Sequence, residues 1–143
     1  ADGVFLVGQT PLEVLRMGNV IGDDDHLYMF TNTLVLIGHK DVDKLVSLQQ
    51  LGSNSLRLAI ADPKLSPAGQ YARSSMEHAG IWISMREHVV RSLDVRAAMA
   101  AVVSGNVDYA IVYKSDAMTD NDISVVLEIL DGYPNIEYLA SPV

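Results

Sequence analysis

"LRLAIADPKLSPAGQYARSSMEHAG", residues 56–80, opens as a strand and closes as a helix, and that order decides the fold. Leu56 to Ala61 is apolar at nearly every position, the pattern of a strand covered on both faces. Asp62-Pro63 through Ser66 is the connecting loop. Ser66 supplies an N-cap oxygen, Pro67 fills the first helical position where no N–H is needed, and Gly80 ends the helix after Ala79.

Outward from this unit, Gly80-Ile81-Trp82 resets the chain and a short amphipathic stretch reaches about Val90. Asp94 then caps a second helix in which Val95, Ala98, Met99 and Val102 recur at helical spacing, with Gly105 as its stop. Asp108 to Tyr113 and Ile123 to Leu130 read as further strands. Upstream, Leu27 to Ile37 reads as one long extended segment, and Asp41 to Leu51 as a short helix stopped by Gly52. Gly3 to Val7 has the look of a strand and Thr10-Pro11 opens a helix through about Met17. Strand, helix, helix, strand with long crossovers implies an α/β fold, a parallel or mixed sheet with helices on both faces. The sequence holds neither an internal repeat nor a low-complexity tract.

The chain has 143 residues, 49% of them hydrophobic, enough for one principal lobe with a real core but not for two comfortable ones. Eighteen acidic residues against ten basic ones give a formal charge of −8, which argues against nucleic acid or an anionic membrane surface as partner. Zero cysteines exclude disulfides and thiolate metal sites. No apolar run approaches the roughly 20 residues that span a bilayer, so no membrane insertion is expected.

The histidines His26, His39, His78 and His88 fall in different elements and lack metal-ligand spacing. Asp23-Asp24-Asp25 and Asp120-Asn121-Asp122 lack the glycine and bidentate glutamate of a calcium loop and read as solvated turns. No nucleophile elbow is present, so no enzyme is expected and no cofactor is implied. Met76, Met85, Met99 and Met118 read as core filling, and Trp82 as packing a corner.

What remains is a sheet edge where strand ends meet helix starts, the usual place for a ligand in such sheets. The first turn of a helix carries unpaired N–H groups and partial positive charge. Pro67 has no N–H, so Ala68 and Gly69 are the candidate donors at one helix, with side chains small enough for close approach. At the second helix Asp94 can satisfy later amides and leave the Val95 N–H for a ligand, and Tyr113 ends the next strand with a hydroxyl donor. The same signs serve mere capping and packing. As a site, neutral donors suit a fully deprotonated tetrahedral oxyanion better than phosphate, which also needs an acceptor when partly protonated.

Three segments, "LAIADPKLSPAGQYA" (58–72), "DVRAAMAAVVSGNVDYAIVYKSDA" (94–117) and "NTLVLIGHK" (32–40), resemble the periplasmic molybdate-binding proteins of ABC transporters in order and spacing. That resemblance implies a type II periplasmic-binding fold, with molybdate or tungstate as ligand and an ABC permease as partner. It implies that Ala68 and Val95 give backbone N–H groups and Tyr113 its hydroxyl. It further implies an exported, periplasmic or extracytoplasmic protein, with or without a lipid anchor. In this family a preceding lobe supplies two serine ligands that have no counterpart here. Residues 1–30 resemble a remnant of that first lobe, 31–122 the second, anion-binding lobe, and 123–143 a return strand toward the first. The rival reading is the effector-sensing domain of a transcriptional regulator, which shares the fold. Oligomeric state is left open.

Overall fold

The computed structural model describes residues 21–22, 28–53 and 56–140, so the expected strand at 3–7, the helix from Thr10 to Met17, the acidic run 23–25 and His26 lie outside the described residues. The chain divides into two compact units, residues 1–32 with 135–143, and Thr33–Pro134. In the first, strands β1 (Ile21–Gly22), β2 (Tyr28–Asn32) and β8 (Ile136–Ala140) form an antiparallel sheet in the order β1-β2-β8.

The second unit is built on a five-stranded sheet of β3 (Leu34–His39), β4 (Leu58–Ala61), β5 (Val89–Ser92), β6 (Tyr109–Tyr113) and β7 (Ile123–Ile129), in the order β5-β4-β6-β3-β7. β4 runs parallel to β5 and β6, and β3 runs antiparallel to β6 and β7, so the sheet is mixed. Its helices are α1 (Pro67–His78), α2 (Trp82–Met85), α3 (Val95–Val103) and α4 (Lys114–Ala117). The fold class expected from the sequence is the one observed.

Alternation along the strands divides the core between two faces. Val35, Ile37, Ala59, Ala110 and Val112 pack with Ala98, Met99 and Val102 of α3. Leu34, Leu36, Leu58, Ile60 and Ile111 take the alternate positions and are fully buried, and α1 brings buried Ala72 and Met76 against β3, β4 and β6. Both helix stops are as the sequence implies: Gly80 and Gly105 adopt φ of 78° and 81°, left-handed conformations open to glycine without strain.

Of the segment Leu27–Ile37, expected as one extended run, the part from Tyr28 onward is two strands that part at Thr33 and join different sheets. β-Branched and aromatic density records extended backbone but carries no mark of a change of partner. Asp41–Leu51 forms only a 3₁₀ helix at Leu48–Ser53, and the Gln50 side-chain oxygen accepts from Val46 N (2.5 Å) and Ser47 N (3.1 Å) in a turn of its own. A helix of about a dozen residues is marginal without packing, and Val46 faces solvent. β5 begins where the stretch read as amphipathic ends, at Val89, and runs on to Ser92; this four-residue edge strand is half-buried to exposed throughout and shows no clean alternation. Met118 is exposed, unlike buried Met76, Met85 and Met99, so it does not fill the core. Trp82 is buried at its corner with the Arg73 guanidinium 4.8 Å from the ring centroid. Ile123–Ile129, read as a return strand, is an edge strand of this sheet, and the chain passes to the other unit at Asn135.

Candidate functional site

The carboxyl ends of three parallel strands coincide. Ala61 at the end of β4 pairs with Ser92 at the end of β5, and Ile60 pairs with Ile111, so β6 runs one residue past the level of Ala61 to end at Tyr113. Asp62 N donates to Ser92 O (2.8 Å), tying the loop before α1 to the end of β5. Ala68 and Gly69 stand in the first turn of α1, Val95 in the first turn of α3 and Tyr113 at the end of β6, the elements that follow or form these strand ends.

The α1 start is built by its loop. Asp62 Oδ1 accepts from Lys64 N (2.9 Å) and Asp62 O from Leu65 N and Ser66 N, which turns the chain into Ser66 in extended conformation. The Ser66 hydroxyl oxygen then accepts from Ala68 N at 3.2 Å, the long end of the normal range. An anion at this turn therefore competes with Ser66 for the Ala68 amide. Gly69 has a reason to be glycine apart from any ligand. A Cβ here would stand 2.0 Å from Ala61 O and 2.7 Å from Pro63 N, so the bare backbone lets α1 press directly on the loop beneath it.

At α3, Asp94 is extended, its carboxylate accepts from Ala97 N (2.8 Å) and its carbonyl from Ala98 N (3.1 Å). The cap bond goes to the third helical residue, Ala97. Val95 itself is half-buried against the α3 core. Tyr113 is buried, closes β6 opposite Leu34, and is followed by Lys114, whose N–H donates to Thr33 O (2.8 Å). The Lys114 ammonium is held by Glu128 (2.7 Å). Two helix starts and a phenol around one edge can offer hydrogen-bond donors to an anion without a formal positive charge.

One group escaped the sequence reading. The Tyr133 hydroxyl accepts from Leu34 N (3.2 Å) and donates to Ile129 O, standing between two partners of the β3–β7 ladder. Burial is the largest influence on the Tyr133 phenol and holds it above its ordinary 10.0, so it keeps its proton to donate at neutral pH. The signal available was the Asp131-Gly132-Tyr133-Pro134 turn, which marks a bend but not what the ring does. Among the described residues no group of three or more His, Cys, Asp or Glu is placed to hold a metal ion, and no helix is long and apolar enough to cross a membrane.

The sequence matches the family described as bacterial extracellular solute-binding protein over residues 1–142. It is 29% identical over 128 residues to a putative ABC transporter substrate-binding lipoprotein of Bacillus subtilis, covering 90% of this chain and 49% of that protein. It is 35% identical over 86 residues to the molybdate-binding protein ModA of Escherichia coli, covering 59% of this chain and 34% of that one. The substrate-binding domain of a putative molybdenum ABC transporter from Clostridium difficile superposes with a TM-score of 0.73 at 26% identity, over 98% of this chain and 62% of that chain. The periplasmic molybdate-binding protein of Azotobacter vinelandii, at 20% identity and a TM-score of 0.61, shares the fold. These are relatives of the kind the three sequence segments resemble. The chain spans about half the length of the Bacillus subtilis relative.

Proposed function

The chain belongs to the bacterial extracellular solute-binding proteins, and on that premise we propose that its larger unit contributes half of a site for a tetrahedral oxyanion, molybdate or tungstate, destined for an ABC importer. Its working place is then outside the cytoplasm and its partner a membrane permease. The protein performs no chemistry in this role. Ala68 and Val95 donate backbone N–H groups and Tyr113 its hydroxyl, with the Gly69 N–H as the further donor of the α1 start. The observation that carries the reading is the shared edge: β4, β5 and β6 run parallel and end at one side of the sheet, β4 and β5 lead through short loops to the starts of α1 and α3, and Tyr113 ends β6 itself. The names of two relatives, a molybdate-binding protein and a molybdenum transporter domain, support the choice of anion.

The test is thermal melting of the chain against molybdate, tungstate, sulfate and phosphate at fixed ionic strength. An anion at about 100 times its Kd adds roughly 2.7 kcal/mol of stability, and molybdate and tungstate are expected to raise the melting temperature where sulfate and phosphate do not. Tyr113→Phe is expected to weaken the binding by about 0.5–1.5 kcal/mol, the net worth of one neutral hydrogen bond. Titration calorimetry reads that loss, and an unaltered isotherm removes Tyr113 from the site.

A further inference from the structure

The chain passes from the smaller unit into the larger at Thr33 and leaves it at Pro134. Near these crossings the backbone is fastened to both elements that carry proposed donors. Thr33 O accepts from Lys114 N (2.8 Å), the residue directly after Tyr113. Leu34 N donates to the Tyr133 hydroxyl (3.2 Å). The turn that carries Tyr133 is in turn sewn onto α1. Ser74 Oγ donates to Gly132 O (2.5 Å), and the Tyr71 and Tyr133 rings lie 6.2 Å apart. Gly132, at φ 91°, sits so close to α1 that a Cβ would meet His78 Cβ at 2.7 Å and Ser75 Cα at 2.9 Å. α1 begins at the Ala68 turn, so a continuous set of contacts runs from one proposed donor through Ser74, Gly132 and Tyr133 to Leu34, and a second from Tyr113 through Lys114 to Thr33.

We propose that Tyr133 is a positioning residue: its hydroxyl holds the crossing segment Thr33–Leu34 in register with α1 and the end of β6, so that the donor elements and the crossing move as one body. The proposal rests on the oxyanion reading for what those elements bind, but the fastening itself does not. The hydroxyl takes both an N–H and a C=O of the β3–β7 ladder at its last rung. A phenylalanine keeps the ring beside Tyr71 while leaving both groups without that partner. Loss of one such net contact corresponds to a several-fold change in a local opening equilibrium.

Amide hydrogen exchange on the 143-residue chain and its Tyr133→Phe variant tests this, with Ser74→Ala as a milder release of the same turn. Exchange at Leu34 is expected to accelerate at least about fivefold in Tyr133→Phe, to spread to Lys114, and to leave Ala59 and Ile60 in the sheet interior unchanged. Ser74→Ala is expected to give a smaller acceleration at the same amides. Unchanged exchange at Leu34, or uniform acceleration across the sheet, overturns the proposal, since the first shows no fastening and the second only general loosening. Added molybdate is expected to slow exchange at Leu34 in the parent chain and to do so less in the variant; equal slowing in both also overturns it. If molybdate protects no amide in the parent chain, the oxyanion reading fails, and the ligand-free comparison still decides whether Tyr133 fastens the crossing.

Discussion

Gly69→Ala is expected to destabilise the larger unit by about 3 kcal/mol, the upper part of the range for overpacking a tightly packed interior. The added methyl would stand 2.0 Å from Ala61 O, 2.7 Å from Pro63 N and 2.8 Å from Ala61 C. All three are backbone atoms, so no side chain can rotate away and the first turn of α1 must lift off its loop. Gly38 provides the contrast. Its nearest neighbour to an added Cβ, at 2.5 Å, is a Val42 methyl, the end of a side chain that can swing aside. Urea unfolding of Gly69→Ala and Gly38→Ala side by side measures the difference. A cost below about 1 kcal/mol at Gly69 would mean that α1 tolerates the lift and that the close packing is incidental. The substitution also displaces the Ala68 amide, so any loss of anion affinity in this variant reports displacement and not removal of a donor.

Leu36→Ala is expected to cost about 4 kcal/mol, within the 2–5 kcal/mol range for a large aliphatic truncated in a core. Leu36 is fully buried in the middle of β3, opposite Ile111 on β6 and Leu127 on β7. With a strand on each side, the backbone cannot close over the gap, and the cavity term persists in full. The β3–β7 register shifts between Leu36 and Ile37, so the packing of this side chain also supports an irregular ladder. Equilibrium denaturation reads the loss as a lower midpoint at an unchanged slope. A cost near 1 kcal/mol would show that the neighbouring chains relax into the space.

The sequence announces α1 and α3 because their boundaries are chemical. Ser66 and Asp94 both make the cap bonds their types suggest, Pro67 takes the first position, and Gly80 and Gly105 take positive φ. Strands β4 and β6 are legible for the same kind of reason, as short apolar runs buried at every position. The positions of Ala68 and Val95 at helix starts and of Tyr113 at a strand end follow from these four elements. Illegible were features decided by distant partners. Nothing in "TNTLV" says that Thr33 divides two sheets, and nothing in "VVRS" says that Val89–Ser92 completes a parallel ladder with β4. The packing role of Gly69 depends on Ala61 and Pro63 being folded beneath it, and the role of Tyr133 on Leu34, far away in sequence. Local chemistry marks where elements begin and end, whereas tertiary partners decide what a small or aromatic residue is for.

The position of β3 has a consequence for how the molecule forms. It is the first strand of its sheet to be synthesised, yet both of its neighbours, β6 and β7, come from the far end of the unit, with Leu34 meeting Tyr113 and Ile129. Closing such long loops is entropically costly before any contact compensates, which makes the topology slow to fold and dependent on completion of the chain. Until Tyr113 has left the ribosome, Leu34, Val35, Leu36 and Ile37 have no sheet to enter, and until Ile129 follows, one side of β3 stays an unpaired apolar edge that a paused nascent chain presents to chaperones.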